Sequence, residues 1–238
     1  MTGDSPENRA SGRLYVVATP IGNLEDITLR ALRVLGEVAA VACEDTRQTL
    51  KLLNKYGLKK PLISYFQPRE GRRVPEIVGH LMAGRDIALV SDAGTPGISD
   101  PGFPLIRQAL KEGIPVVPIP GPSAVTTALA VSGLPTHRFL FAGFPPPKKT
   151  GLLKLLEGLK NEDATLIFYL PTRRMPDFLK AVLETLGNRR VVVARELTKV
   201  HEEFLRGTAE GLQASLGQRT LKGEATVLVE GRRRAQSS

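Results

Sequence analysis

The run Ile87-Ala88-Leu89-Val90 is apolar at every position, and Ser91-Asp92-Ala93-Gly94-Thr95-Pro96-Gly97-Ile98-Ser99-Asp100-Pro101-Gly102 follows it directly. Helical spacing begins at Phe103 and continues to Leu110. A strand with no polar alternation is buried on both faces, which is the condition of a parallel sheet covered by helices. The twelve-residue loop therefore lies at the carboxyl end of a parallel strand, where open α/β sheets bind ligands. Its glycines allow torsions and close approaches that a Cβ would block, and Pro96 and Pro101 stiffen it. A diphosphate is a poor occupant. The loop has no G-x-G-x-x-G and no G-K-[ST], and Asp92 and Asp100 would repel phosphate charge. A small ligand with a positive centre, such as the sulfonium of S-adenosylmethionine, suits it better.

The same pattern recurs along the chain. Leu14–Ala18, Val38–Cys43, Pro61–Tyr65 and Pro115–Ile119 read as further buried strands, separated by stretches of helical spacing. Such alternation predicts a sheet with helices on both faces. Pro118, Pro120 and Pro122 then stiffen a crossing into a second set of elements. That set holds a helix over Ala124–Ser132 and strands at Arg138–Gly143, Thr165–Leu170, Val191–Ala194, Glu203–Thr208 and Gly223–Glu230. The expected organisation is two α/β domains, 13–120 and 121–231, with polar tails at 1–12 and 232–238.

Charge and composition narrow the partners. The net charge of +9 suits a polyanion, while the 5% aromatic content argues against a broad platform for base stacking. One cysteine, Cys43, excludes an internal disulfide and fits a reducing cytoplasm. No apolar run approaches the ~18 residues of a membrane span. His80, His137 and His201 are isolated and not spaced as zinc ligands, so no metal is expected.

Several strand ends carry chemistry. Pro20 sits in the turn after the first strand, where Asp26 or Thr28 caps the next helix. Glu44-Asp45-Thr46-Arg47 reads either as a self-satisfied helix cap or as a set of active-site groups. Arg69, Arg72 and Arg73, then Lys148 and Lys149, then Arg173 and Arg174, are basic loop residues that either contact phosphates or are simply solvated. Arg195 and Glu196 read as a surface pair or as groups of a site.

The loop Ser91–Gly102 and the Glu44–Arg47 segment together resemble the signature of a ribosomal RNA 2′-O-methyltransferase family within the tetrapyrrole methylase superfamily. The resemblance covers residues 13–231. It implies a mostly parallel N-terminal sheet, a mixed C-terminal sheet and S-adenosylmethionine held in a cleft between the domains. It also implies a cytoplasmic homodimer that methylates a cytidine ribose in the decoding region of 16S rRNA, free or in the small subunit. The matching cofactor positions are Pro20, Ala93, Gly94, Thr95, Ile98, Ser123, Ala124, Leu170 and Leu197. Asp45 and Asp100 are the candidate bases, and Arg47, Arg195 and Lys199 the candidate electrostatic stabilisers. The chain departs from the family at Phe66–Glu70, which lacks the usual His and Asn. It departs again where Leu170 replaces a Glu and Arg173 a His. No histidine is expected to act as the base. Two other readings are C-methylation of a tetrapyrrole and a non-catalytic RNA-binding module.

Overall fold

A computed structural model describes residues 11–67, 70–216, 219 and 221–232. By its contacts the chain divides into two compact units, Met1–Ser123 and Ala124–Ser238. The expected tails and Arg69 lie outside the described residues, apart from 11, 12 and Arg232.

The first unit is built on five strands: β1 (Leu14–Val17), β2 (Ala40–Cys43), β3 (Leu62–Ser64), β4 (Ile87–Val90) and β5 (Val116–Ile119). Their order is β3-β2-β4-β1-β5, and every pairing is parallel. Helices α1 (Leu29–Glu37) and α2 (Thr46–Lys55) pack Val34, Leu35, Leu52 and Leu53 against Val17, Val41, Ala88 and Val90 on one face. Helices α3 (Glu70–Met82) and α4 (Phe103–Lys111) pack Ile77, Leu81, Leu105 and Ala109 against Leu14, Ala42, Ile87 and Leu89 on the other. The unbroken apolar strands thus bury alternate residues in two different cores. Pro118 is tolerated because β5 is an edge strand, where one side of the backbone needs no ladder partner.

Local chemistry fixes the boundaries. Thr28, rather than Asp26, caps α1, its Oγ1 accepting from the Ala31 amide at 3.1 Å. Val38 closes α1 by donating its amide to the Val34 carbonyl, so β2 starts two residues later than the apolar run suggests. Helix α3 begins at Glu70, inside the stretch that reads as a loop, which places Arg72 and Arg73 on its first turns.

The second unit contains α5 (Ala124–Ala130), β6 (Phe139–Phe141), α6 (Lys149–Gly158), β7 (Thr165–Pro171), α7 (Met175–Leu186), β8 (Arg190–Arg195), β9 (Glu203–Thr208), α8 (Ala209–Leu216) and β10 (Glu224–Val229). The strand order is β6-β7-β10-β8-β9. β6 runs parallel to β7, and the other neighbours are antiparallel. Leu152 and Leu156 of α6, Phe178 and Val182 of α7, and Leu212 of α8 cover one face of this sheet over Leu166, Phe168, Val193 and Val227. Helix α5 lies against β10. The expectation of a parallel sheet followed by a mixed one is met. Among the described residues no helix is long and apolar enough to cross a membrane.

Candidate active site

The direction in which each strand hands on its chain locates the site. β4 is followed by α4 on one face, whereas its neighbours β1 and β2 are followed by α1 and α2 on the other. Chains leaving to opposite faces open a crevice at the carboxyl edge on both sides of β4. The loop Ser91–Gly102 fills the middle of that edge.

Hydrogen bonds knit the neighbouring loops to it. Thr19 and Gly94 exchange two backbone bonds, of 2.9 and 3.0 Å, and the Thr19 hydroxyl donates to the Ser91 carbonyl at 3.0 Å. This sets Pro20 beside Gly94. Within the loop, Ile98 donates to the Thr95 carbonyl and Gly97 to the Pro101 carbonyl, both at 3.2 Å. The Asp45 amide donates to Asp92 Oδ1 at 3.0 Å, tying the end of β2 to the end of β4. Gly121, just after β5, passes so close to Ala18 that a Cβ would lie 3.1 Å from the alanine methyl. The described structure therefore gathers Pro20, the 93–98 segment, Glu44–Arg47 and the approach to Ser123 at one edge of the first unit. Ala93 and Ile98 are exposed there, Thr95 is half-buried, and Gly94 is buried with φ of +81°.

The edge is acidic. Glu44, Asp45, Asp92 and Asp100 belong to the two loops joined by the Asp45–Asp92 bond. Burial, then the charges of Asp92, Asp100 and Asp45, push the Glu44 carboxyl above its usual range. Asp45 behaves in the opposite way. Hydrogen bonds from the Arg47 guanidinium and amide lower it to about 2. Arg47 Nη2 lies 2.7 Å from Asp45 Oδ2, and the Arg47 amide donates to Asp45 Oδ1 at 2.8 Å as α2 begins. Of the two readings of this segment, the helix cap describes Asp45. Glu44, which is not among the candidate bases the sequence offers, is distinguished only by burial among acids. Sequence spacing carries no direct sign of that.

The candidates in the second unit stand at the ends of β7 and β8. Leu170 and Leu197 are both buried, and Leu170 belongs to the core under α7. Arg195 pairs with Glu203, Nε to Oε2 at 3.1 Å, and its Nη1 donates to the Lys222 carbonyl. Lys199 pairs with Glu196 at 2.9 Å. Burial alone would raise Glu196, but the bonds from Lys199 and the Glu224 amide outweigh it and hold that carboxylate below its usual range. Arg195 and Glu196 thus take separate partners instead of pairing with each other. Glu196 and Thr198 have φ of +51° and +63°, a conformation rarely adopted by non-glycine residues.

An acid-flanked edge that keeps the apolar Ala93 and Ile98 exposed fits S-adenosylmethionine. The acids suit a sulfonium, and the exposed Ala93 and Ile98 offer apolar contact beside it. Comparison with known proteins agrees. Residues 13–213 match the family described as Tetrapyrrole (Corrin/Porphyrin) Methylases. A protein of Halalkalibacterium halodurans named Ribosomal RNA small subunit methyltransferase I is 52% identical over 220 residues, covering 92% of this chain and 76% of its own length. Its namesake from Thermotoga maritima is 46% identical, covering 93% of this chain and 99% of its own. In fold, the chain resembles uroporphyrin-III-C-methyltransferase from Thermus thermophilus, with a TM-score of 0.64 at 22% identity over 92% of this chain and 94% of that one. Diphthine synthase gives 0.69 at 14% identity, with 92% and 90% covered. The chain belongs to the tetrapyrrole methylase family, in the branch whose curated members carry the name Ribosomal RNA small subunit methyltransferase I.

Proposed function

We propose that this protein methylates ribosomal RNA of the small subunit, at the ribose 2′-oxygen of a cytidine in the decoding region of 16S rRNA. The observation that carries this reading is the acid-flanked Ser91–Gly102 loop at the carboxyl edge of β4, in a chain half identical to proteins named for small-subunit rRNA methylation. The methyl donor is S-adenosylmethionine, which supplies a methyl group already activated on sulfur.

The chain's own residues have two tasks. The first is alignment. Ala93, Gly94, Thr95 and Ile98 hold the donor, with Pro20 beside them and Ser123, Ala124, Leu170 and Leu197 completing its surroundings. Holding acceptor oxygen, methyl carbon and sulfur in line is chiefly a proximity effect. The second is removal of the hydroxyl proton. A carboxylate held at about 2 takes up a proton poorly near neutrality, so Asp45 is better suited to capping α2 than to acting as the base. Asp100 keeps that role in this reading, and Glu44, raised by burial and neighbouring acids, joins it. Arg47, Arg195 and Lys199 each have a carboxylate partner. Arg47 is largely exposed, and such a pair exchanges readily for a substrate phosphate or a developing alkoxide.

The net charge of +9 supports a polyanionic substrate. The proposal includes a homodimer working in the cytoplasm, the dimer being testable by light scattering. The deciding experiment supplies radiolabelled S-adenosylmethionine with small ribosomal subunits, free 16S rRNA and porphyrin precursors in parallel. Label in RNA that survives alkaline hydrolysis as a 2′-O-methylated dinucleotide is the expected result. Label in the porphyrin precursor alone would replace this reading with tetrapyrrole methylation.

A further inference from the structure

The β6–α6 loop presents an aromatic ring that the core does not use. Phe144 is 53% exposed, three residues beyond the end of β6. Its ring stands edge-on to Tyr169, with centroids 5.4 Å apart, and Tyr169 packs in turn against Phe141 at 4.8 Å. The backbone beneath it is fastened on three sides. The Tyr169 amide donates to the Gly143 carbonyl at 3.0 Å, carrying the β6–β7 pairing to the foot of the loop. The Arg174 guanidinium donates to the Pro145 carbonyl at 2.9 Å and also to that of Pro146. Gly151 of α6 lies so near Pro146 that a Cβ would sit 2.9 Å from the proline ring. An exposed phenylalanine on so fixed a loop is ready to meet a flat partner with little loss of freedom.

The charges around it define that partner. Lys148 and Lys149 close the loop, and Arg173 adjoins the arginine that clamps it; all three are exposed. Among the described residues none of the three makes an ion pair. Arg174 is committed to carbonyls and acts as a strut. An exposed ring on a loop that ends in two unpaired lysines, with Arg173 next in sequence to the arginine that clamps it, matches an unstacked nucleotide, whose base offers a π-face and whose neighbours offer phosphates. An apolar protein segment would leave the cations unanswered.

We propose that Phe144 stacks on an unpaired base of the RNA substrate while Lys148, Lys149 and Arg173 hold the flanking phosphates. This rests on the reading of the protein as an rRNA methyltransferase. The test measures binding of full-length protein to a 16S rRNA transcript at several salt concentrations, alongside S-adenosylmethionine affinity, thermal midpoint and oligomeric state. Phe144→Ala and Phe144→Leu should weaken RNA binding by about five- to a hundredfold, the range of one base–aromatic stack, with an unchanged salt slope. Phe144→Trp should restore it. The double variant Lys148→Ala/Lys149→Ala should instead flatten the log–log salt slope by ~0.7 for each lost single-strand phosphate contact. Cofactor affinity should be unchanged throughout. Wild-type RNA affinity in both Phe144→Ala and Phe144→Leu would overturn the proposal, as would loss of cofactor binding or of a dimer in their place. If the wild-type protein methylates no RNA, the functional reading fails first; if it does and Phe144 is dispensable, only the stacking proposal fails.

Discussion

Glu44 and Asp45 are adjacent in sequence and opposite in their titration. Glu44 loses solvent and faces three other acids, so its neutral form is favoured. Asp45 is held ionised by Arg47 and the start of α2. For Glu44 the folded-state pKa lies above the ordinary 4.5, so the folded chain keeps a proton that the unfolded chain releases. Stability from this group is therefore full below about 4.5 and declines as pH rises through the raised value. Glu44→Gln should then raise Tm more at pH 7 than at pH 4. An equal or reversed difference would remove the raised carboxyl from this account. In catalysis, Asp45→Asn keeps a side chain able to cap α2, and single-turnover methyl transfer should stay within about tenfold of wild type, a barrier change of ~1.4 kcal/mol. Asp100→Asn should exceed that. A larger loss from Asp45→Asn than from Asp100→Asn would return the base to Asp45. The acids at this edge could be read from the sequence because they interrupt apolar strand ends. Their division of labour could not, because it depends on which carboxylate meets Arg47 and which is buried.

At the scale of elements, the hydrogen-bonded Ser91–Gly102 loop also contains one tight approach. Gly102 has φ of +148°, and a Cβ there would lie 3.1 Å from the Gly97 amide nitrogen and 3.2 Å from Leu89. Gly113 also has a positive φ, of +68°, but open space around it. Gly113→Ala should destabilise by about 1 kcal/mol through backbone strain alone. Gly102→Ala adds a clash with backbone, so it should cost more by urea unfolding and should also weaken S-adenosylmethionine binding. Equal costs at the two positions would mean that the loop gives way freely. The elements of the first unit were legible because parallel strands buried on both faces stand out as unbroken apolar runs. Their order was not, since β4 inserts between β2 and β1 through pairings that no local pattern encodes. The helix over Glu70–Met82 was obscured at its start by the charged Glu70–Arg73 stretch and by Pro75, which lacks a helix-bonding amide.

Each unit of the molecule carries its own sheet and its own core, so each has what it needs to hold its shape. The proposed cofactor contacts nevertheless draw on both: Ala93, Gly94, Thr95 and Ile98 from the first, and Ala124, Leu170 and Leu197 from the second. A ligand that binds only the folded state stabilises it according to concentration, by ~2.7 kcal/mol at a hundred times its dissociation constant. That energy reaches only the parts that must open to release the ligand. Hydrogen exchange with and without S-adenosylmethionine therefore distinguishes a cofactor bound by one unit from a cofactor shared by two. Shared binding predicts slowing, up to about a hundredfold, in the 93–98 loop and also around Leu170 and Leu197. The second group is the informative one, because Leu170 and Leu197 are already buried without the cofactor and any added protection must come from linkage. Protection confined to Met1–Ser123 would restrict the cofactor to the acid-flanked edge of β4 and leave Leu170 and Leu197 as core residues only.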